Sequence, residues 1–441
     1  MTYTVKDILQ MEVAPALGCT EPVAIALGAA AAKALLPDDS EIKSIFIRLD
    51  PNVYKNGLAV AIPGTDGLTG LNLSSALGAY GGDASLGLEV LSPLDDDALN
   101  KAKALVEENK VTAELRPDTK GLYIHTTITT DTHTAESLIE GLHDNIAALV
   151  LDGAPVEECE LLSGDCAEGS SKKDELESLE AWLRKLSLLD LIALVDDLDE
   201  EDFAFLQEGV DVNLRLAEFG LKFGSGLGIG RGLERLARQK LISRDMIFNA
   251  RMLTSAAADA RMAGAKLPAM SSAGSGNHGL TAVLPIWAIR EFIDCDDKNV
   301  LEAIALSHLV TGYVKAFTGR LSAVCGCSVA AGAGATAGIT YLLGGTHHHI
   351  AGAIKNLTED LAGVICDGAK AGCALKLSTA AGTAVQAALF SLQGVNVQPT
   401  DGIIGSSPEQ TMQNIGTLST QGMVETDRTI LRIMLEKGIK A

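Results

Sequence analysis

Residues 321–346 run for 26 positions without a formal charge. A stretch of that length and character has to be buried, either in lipid or in a protein core. Twelve of the 26 are Gly or Ala, and only seven are large apolar or aromatic residues. Little drives such a segment into lipid, and no basic loop flanks it to set an orientation. It suits helices packed so closely that only small side chains fit between them. The rest of the chain follows the same economy, with 4% aromatics and 45 glycines. The expectation is a folded, Gly/Ala-rich helical core with no membrane partner.

A length of 441 residues allows more than one domain. The net charge of -22 argues against nucleic acid, which needs clustered Lys and Arg, and against anionic lipid surfaces. The N-terminal stretch lacks the basic region, apolar run and cleavage site of a signal peptide, so the expected compartment is the cytoplasm. Thiols stay reduced there, and eight cysteines read as core residues, metal ligands or catalytic groups before disulfides.

Residues 1–36 read as a short helix, a turn at Ala14-Pro15 and a buried helix from Thr20. Between 41 and 152, KSIFIRLD and GLYIHTTIT have strand character, while DDDALNKAKALVEENK and TAESLIEGLHDNIAALVL carry helical spacing. That alternation predicts a small, ferredoxin-like α+β domain. The polar stretch 163–174 is the expected linker, and almost everything beyond it reads as helix punctuated by glycine. The predicted organisation is α+β: residues 1–165 form the α+β domain and 166–441 a larger, mostly α-helical one. The glycine-rich stretch 220–233 lacks both the dinucleotide spacing and a Walker G-K-[ST], and is expected to be a turn or helix-packing site.

Chemistry concentrates in three places. The first is PALGCTEP, residues 15–22, where Thr20 suits an N-cap and Glu21 and Pro22 suit a first helical turn. A thiol at Cys19 would then feel the helix dipole, which lowers its pKa, although an inert buried cysteine fits the same segment. The second is a set of Gly-flanked thiols: Cys325 and Cys327 in RLSAVCGCSVAAGAGA, Cys366 and Cys373 in GVICDGAKAGCALKLS. Three such thiolates can hold a [4Fe–4S] cube and leave one iron open as a Lewis acid, while spacing alone is a weak signal that favours unrelated buried cysteines. The third is MSSAGSGNHGL, 270–280, which gathers Ser271, Ser272, Ser275, Asn277 and His278 at a helix start, a setting for a carboxylate or for an ordinary cap. The adjacent His347, His348 and His349 are expected in a solvated loop, and Cys159, Cys166 and Cys295 are expected to be structural or exposed.

Taken together, PALGCTEPVAIALGAA, SSAGSGNHG, CGCSVAAGAGA and CDGAKAGCALK resemble the L-cysteine desulfidase family, relatives of the iron–sulfur L-serine dehydratases. The resemblance follows the expected order over nearly the whole chain. It implies a [4Fe–4S] cluster in place of pyridoxal phosphate, held by Cys366, Cys373 and Cys325, with Cys327 as the alternative to Cys325. It implies that L-cysteine is converted to hydrogen sulfide, ammonia and pyruvate, with Cys19 removing the Cα proton and the open iron taking the leaving sulfur. Ser271, Ser275 and Asn277 would hold the carboxylate, with Thr20, His278 and Arg320 as further candidates for the pocket. Ala16, Leu17 and Gly18 stand where the dehydratases carry serines, and the C-terminal LRIMLEKGIKA carries no cysteine; both departures favour the desulfidase branch. The alternatives are an iron–sulfur dehydratase of L-serine or another hydroxy amino acid, a cluster-free amino-acid-binding or thiol-sensing protein, and a transporter subunit. A homo-oligomer is compatible with such a core.

Overall fold

The computed structural model describes residues 2–119, 121–162, 172–319 and 322–437. Arg320, Cys166 and most of the 163–174 linker lie outside these residues. Among the described residues the chain forms two large apolar cores, one around a mixed sheet and one made of helices, with smaller clusters beside them. The α+β class expected from the sequence holds.

The sheet is built from β2 (Ser44–Leu49), β3 (Val111–Leu115), β4 (Tyr123–Thr129), β5 (Thr134–Glu140), β6 (Ile146–Leu151) and β7 (Ala154–Pro155), in the order β3-β2-β4-β5-β6-β7. β2 and β3 run parallel, with Ile45 opposite Val111, and the crossover between them carries the helices Leu71–Gly81 and Asp96–Glu107. The remaining strands form an antiparallel meander. This departs from the ferredoxin-like expectation, because 134–151 forms two strands of a hairpin and no second crossover helix. Its alternation decides the matter: Ala135, Ser137 and Ile139 are buried, and their neighbours in the strand less so. One face of the sheet is covered by helix Thr20–Lys33, whose small residues admit a close approach. At Gly28, Ser137 Oγ donates to the helix carbonyl at 2.6 Å.

The second core answers the question posed by the charge-free stretch. Helix Ala330–Leu342 packs along Asp297–Thr318, and Cβ atoms at Gly334 and Gly338 would lie 2.3 Å and 2.4 Å from the carbonyl oxygens of Ser307 and Ala303. The segment is therefore a protein-core helix. Two helices, Asp297–Thr318 and Cys373–Leu392, are long and apolar enough to cross a membrane, yet 89% and 61% of their most apolar windows are buried inside the fold.

The two bodies are laced together. Val5, Ile8 and Leu9 of the first helix, Val5–Glu12, join the helical core, whereas Ile430, Leu431 and Met434 of the last, Val424–Glu436, join the core of the sheet. β1 (Pro15–Leu17) pairs antiparallel with β8 (Pro268–Met270), placing Ala16 opposite Ala269. Just beyond β8, a Cβ at Gly279 would meet the Met270 carbonyl oxygen at 1.9 Å. Backbone cannot yield there as a flexible side chain can, so Gly279→Ala should destabilise by about 1–3 kcal/mol, read as a lowered thermal midpoint.

Candidate active site

The β1–β8 ladder brings two of the three sequence motifs together. It is extended by the Ser271 and Ala273 amides, which donate to Ala14 O and Glu12 O, each at 2.8 Å. Gly18 follows at φ +63°, where a Cβ would lie 2.1 Å from Pro63 Cγ, so only glycine turns the chain here. Cys19 is itself the N-cap of helix Thr20–Lys33; Thr20 occupies the first helical position and does not cap it. The Cys19 thiol is 4% exposed and donates to Glu21 Oε2 at 3.1 Å. Glu21 also accepts from Thr20 Oγ1 and from Asn56 Nδ2, with His143 at 4.0 Å.

The electrostatics correct one expectation. Burial, followed by the Glu21 carboxylate, raises the Cys19 thiol well above its ordinary pKa, opposed by the nearby Arg261 cation. The helix terminus does not make it a resting thiolate, because desolvation of the charged form outweighs the dipole. Glu21 titrates below its usual range even though burial opposes this, because His143 and the hydrogen bond from Cys19 favour the carboxylate.

In SSAGSGNHG the chain folds back through a Ser272–Ser275 bridge, with Ala273 and Gly274 at φ +45° and +78°, before helix Gly276–Ile289 begins. Ser271 Oγ accepts from the Ala14 amide at 3.3 Å, which ties it to the ladder. Ser272 Oγ pairs with His308 Nδ1 at 2.9 Å. His278 Nδ1 donates to the Ser272 carbonyl at 3.2 Å, and burial first, then Lys315, lowers its pKa to about 3. His278 is thus neutral with its Nε2 lone pair free of the ring proton. A Cβ at Gly326 would lie 2.4 Å from that Nε2, so the glycine between Cys325 and Cys327 is what lets the third motif meet the second.

The thiol loops are joined backbone to backbone. Val324 and Ile365 form an antiparallel bridge, the Cys325 amide donates to Val364 O at 2.9 Å, and the Cys366 amide donates to Ala323 O at 2.7 Å. Cys373 opens helix Cys373–Leu392 and packs against the cluster of Cys19, Val60 and Met262. The Cys327 thiol and Ser328 Oγ both donate to Cys325 Sγ, which holds Cys325 well below the ordinary thiol pKa and pushes Cys327 up. Lys376 reaches the Ile365 carbonyl at 2.7 Å and pairs with Asp367, adding positive charge beside Cys325 and Cys366.

Cys325, Cys327, Cys366 and Cys373 therefore lie within electrostatic reach of one another, and Cys19 within reach of Cys373. Among the described residues no three His, Cys, Asp or Glu side chains converge on a single metal ion. A set of soft thiolate donors spread over two tethered loops has the donor chemistry of an iron–sulfur cluster. Cys159 packs partly against the sheet core and Cys295 against the helical core, away from these loops. His347–Leu361 is a helix, so His347, His348 and His349 form its first turn and not a loop, with His349 Nδ1 accepting from the Thr346 amide.

The glycine-rich stretch 220–233 is accounted for internally. The Asp259 carboxylate accepts from the Gly230 amide at 3.1 Å and from the amides of Leu227, Gly228 and Ile229. Arg261 and His308 were not singled out from the sequence, and Glu21 was read only as a first-turn residue. Glu21 sits inside the first motif, where a buried carboxylate two residues from a cysteine was a usable signal. Arg261 lies in an unremarkable helical run, ADARMAG, and its position follows from tertiary packing alone.

The serine dehydratase alpha-chain family matches residues 87–432, which include all four loop thiols and the 271–278 segment but not Cys19. A UPF0597 protein of Desulfatibacillum aliphaticivorans is 61% identical over 99% of both chains. One from Desulfotalea psychrophila is 63% identical over the full length of both, and one from Clostridioides difficile is 45% identical over 97% of this chain and 98% of that one. The chain belongs to the serine dehydratase alpha-chain family, a group of iron–sulfur, serine-dehydratase-like lyases.

Proposed function

We propose that this protein is a pyridoxal-phosphate-independent L-cysteine desulfidase, holding a [4Fe–4S] cluster through Cys325, Cys366 and Cys373 and working in the cytoplasm. The observation that supports the reading is the packing of the buried Cys19 thiol beside Cys373, in a segment that the β1–β8 ladder ties to the 268–273 motif. A bound cluster with one open iron supplies Lewis acidity toward the leaving sulfur.

The remaining work falls to the chain. As the Cys19 sulfur takes the Cα proton of the substrate, its own thiol proton passes through Glu21, 3.1 Å away, to the departing sulfur. Glu21 thus acts as a relay and is a carboxylate again at the end of the step, in keeping with its lowered pKa. The Cα–H electron pair forms the double bond as the C–S bond breaks, and the sulfur leaves with the C–S bonding pair and the relayed proton as hydrogen sulfide. Aminoacrylate then hydrolyses to ammonia and pyruvate. The burial of Cys19, Glu21 and His278 keeps bulk water from the carbanionic stage. His278 stays neutral and is aimed between Cys325 and Cys327.

The family name favours a second reading, dehydration of L-serine. Anaerobically purified protein reconstituted with iron and sulfide is expected to release sulfide and pyruvate in equal amounts from L-cysteine, and little pyruvate from L-serine. Pyruvate mainly from serine would move the protein to the dehydratase branch. A protein that takes up no iron or inorganic sulfide would fit a thiol sensor.

A further inference from the structure

Arg261 stands near the end of helix Met246–Met262 and is 1% exposed. Its Nε and Nη2 are buried with no hydrogen-bond partner among the described residues. A Cβ at Gly276 would lie 2.5 Å from Nε and 3.0 Å from Nη2, so the fork lies flat on the first residue of helix Gly276–Ile289. The opening amides of a helix have no acceptor within it and carry its positive dipole end. Beside them, Asn277 Oδ1 is also buried and unpartnered. The Arg261 charge is felt at both Cys19 and His278, so it lies near both motifs.

A buried cation without a counter-charge is costly, and a fold retains one where an anion arrives from outside. The side-on Nε/Nη2 edge matches the two oxygens of a planar carboxylate. We propose that Arg261 is the clamp for the substrate's α-carboxylate, working with the N-terminal amides of helix Gly276–Ile289. This rests on the reading of the site as one for a small amino acid. It moves the main carboxylate contact away from Ser271, whose hydroxyl is engaged with the Ala14 amide.

The test uses L-alanine, which has the carboxylate and ammonium but no β-leaving group, and L-alaninamide, which lacks the negative charge. Calorimetry and thermal shift on the full chain are expected to show binding of L-alanine and none of L-alaninamide. Arg261→Gln should weaken L-alanine binding by at least tenfold while the ligand-free melting temperature holds or rises, since an unpaired buried charge has been removed. Arg261→Lys should retain part of the affinity. Equal binding of the amide, unchanged L-alanine affinity in the Gln variant, or no binding by wild type would each overturn the clamp. A Gln variant that melts well below wild type would assign Arg261 a structural role and overturn it too. Unchanged KM for L-cysteine in Arg261→Gln would sink the clamp and leave desulfidation standing. Arg261-dependent L-alanine binding without elimination from cysteine or serine would do the reverse.

Discussion

Cys19→Ser is expected to reduce elimination from L-cysteine on the order of a thousandfold while leaving the visible absorbance of the reconstituted protein unchanged. A serine hydroxyl is nearly isosteric with the thiol and can keep the hydrogen bond to Glu21, which already holds Thr20 and Asn56. The substitution therefore leaves the local scaffold in place and replaces the thiol by a hydroxyl, which gives up its proton far less readily and so cannot take its place as the acceptor of the Cα proton. Turnover within tenfold of wild type would dismiss Cys19 as the base. The raised thiol pKa makes the point sharper. A resting thiolate is not available, and Glu21 is a carboxylate at rest, so activity has to depend on the thiol proton leaving through Glu21 in the same step that takes the Cα proton.

Cys366→Ser and Cys373→Ser should each lose the iron and inorganic sulfide content that wild type takes up, with loss of all turnover. The informative pair is Cys325→Ser against Cys327→Ser. Donors from Cys327 and Ser328 converge on Cys325 Sγ, and Lys376 adds a cation nearby, so Cys325 is the thiol prepared to be a thiolate. Iron content is expected to collapse in the Cys325 variant and to survive in the Cys327 variant. The opposite pattern would exchange their roles and make Cys327 the ligand.

The α+β division and the buried Gly/Ala helix were legible because both rest on local composition and on clean strand alternation, as at Tyr123–Thr129. The 134–151 segment reads as a helix because Leu138, Leu142, Ile146 and Leu149 fit a three-to-four spacing. The spacing of two is carried by Ala135, Ser137 and Ile139, of which only Ile139 is large and apolar. Pairing with Tyr123–Thr129, which no local window contains, decides between them. Cys19, Ser275, Asn277, His278 and the thiol loops could be picked out as chemistry-bearing stretches. What they do to one another could not. The Cys19 pKa depends on how deeply the thiol is buried and on where Glu21 turns. Arg261 acquires meaning only through Gly276, which lies on another helix.

The Pro15–Leu17 and Pro268–Met270 pairing also sets a timetable. Its two strands are separated by about 250 residues of chain, and at typical rates of synthesis the second leaves the ribosome tens of seconds or less after the first. The sheet core closes largely from residues made early, except for the helix Val424–Glu436, which arrives last. Until Pro268–Met270 emerges, Cys19 has no partner strand behind it and remains open to oxidants and to stray metal. The Cys19 segment is therefore covered later than the early-made parts of the sheet core, and the newborn chain carries this thiol exposed for longer than the finished fold does.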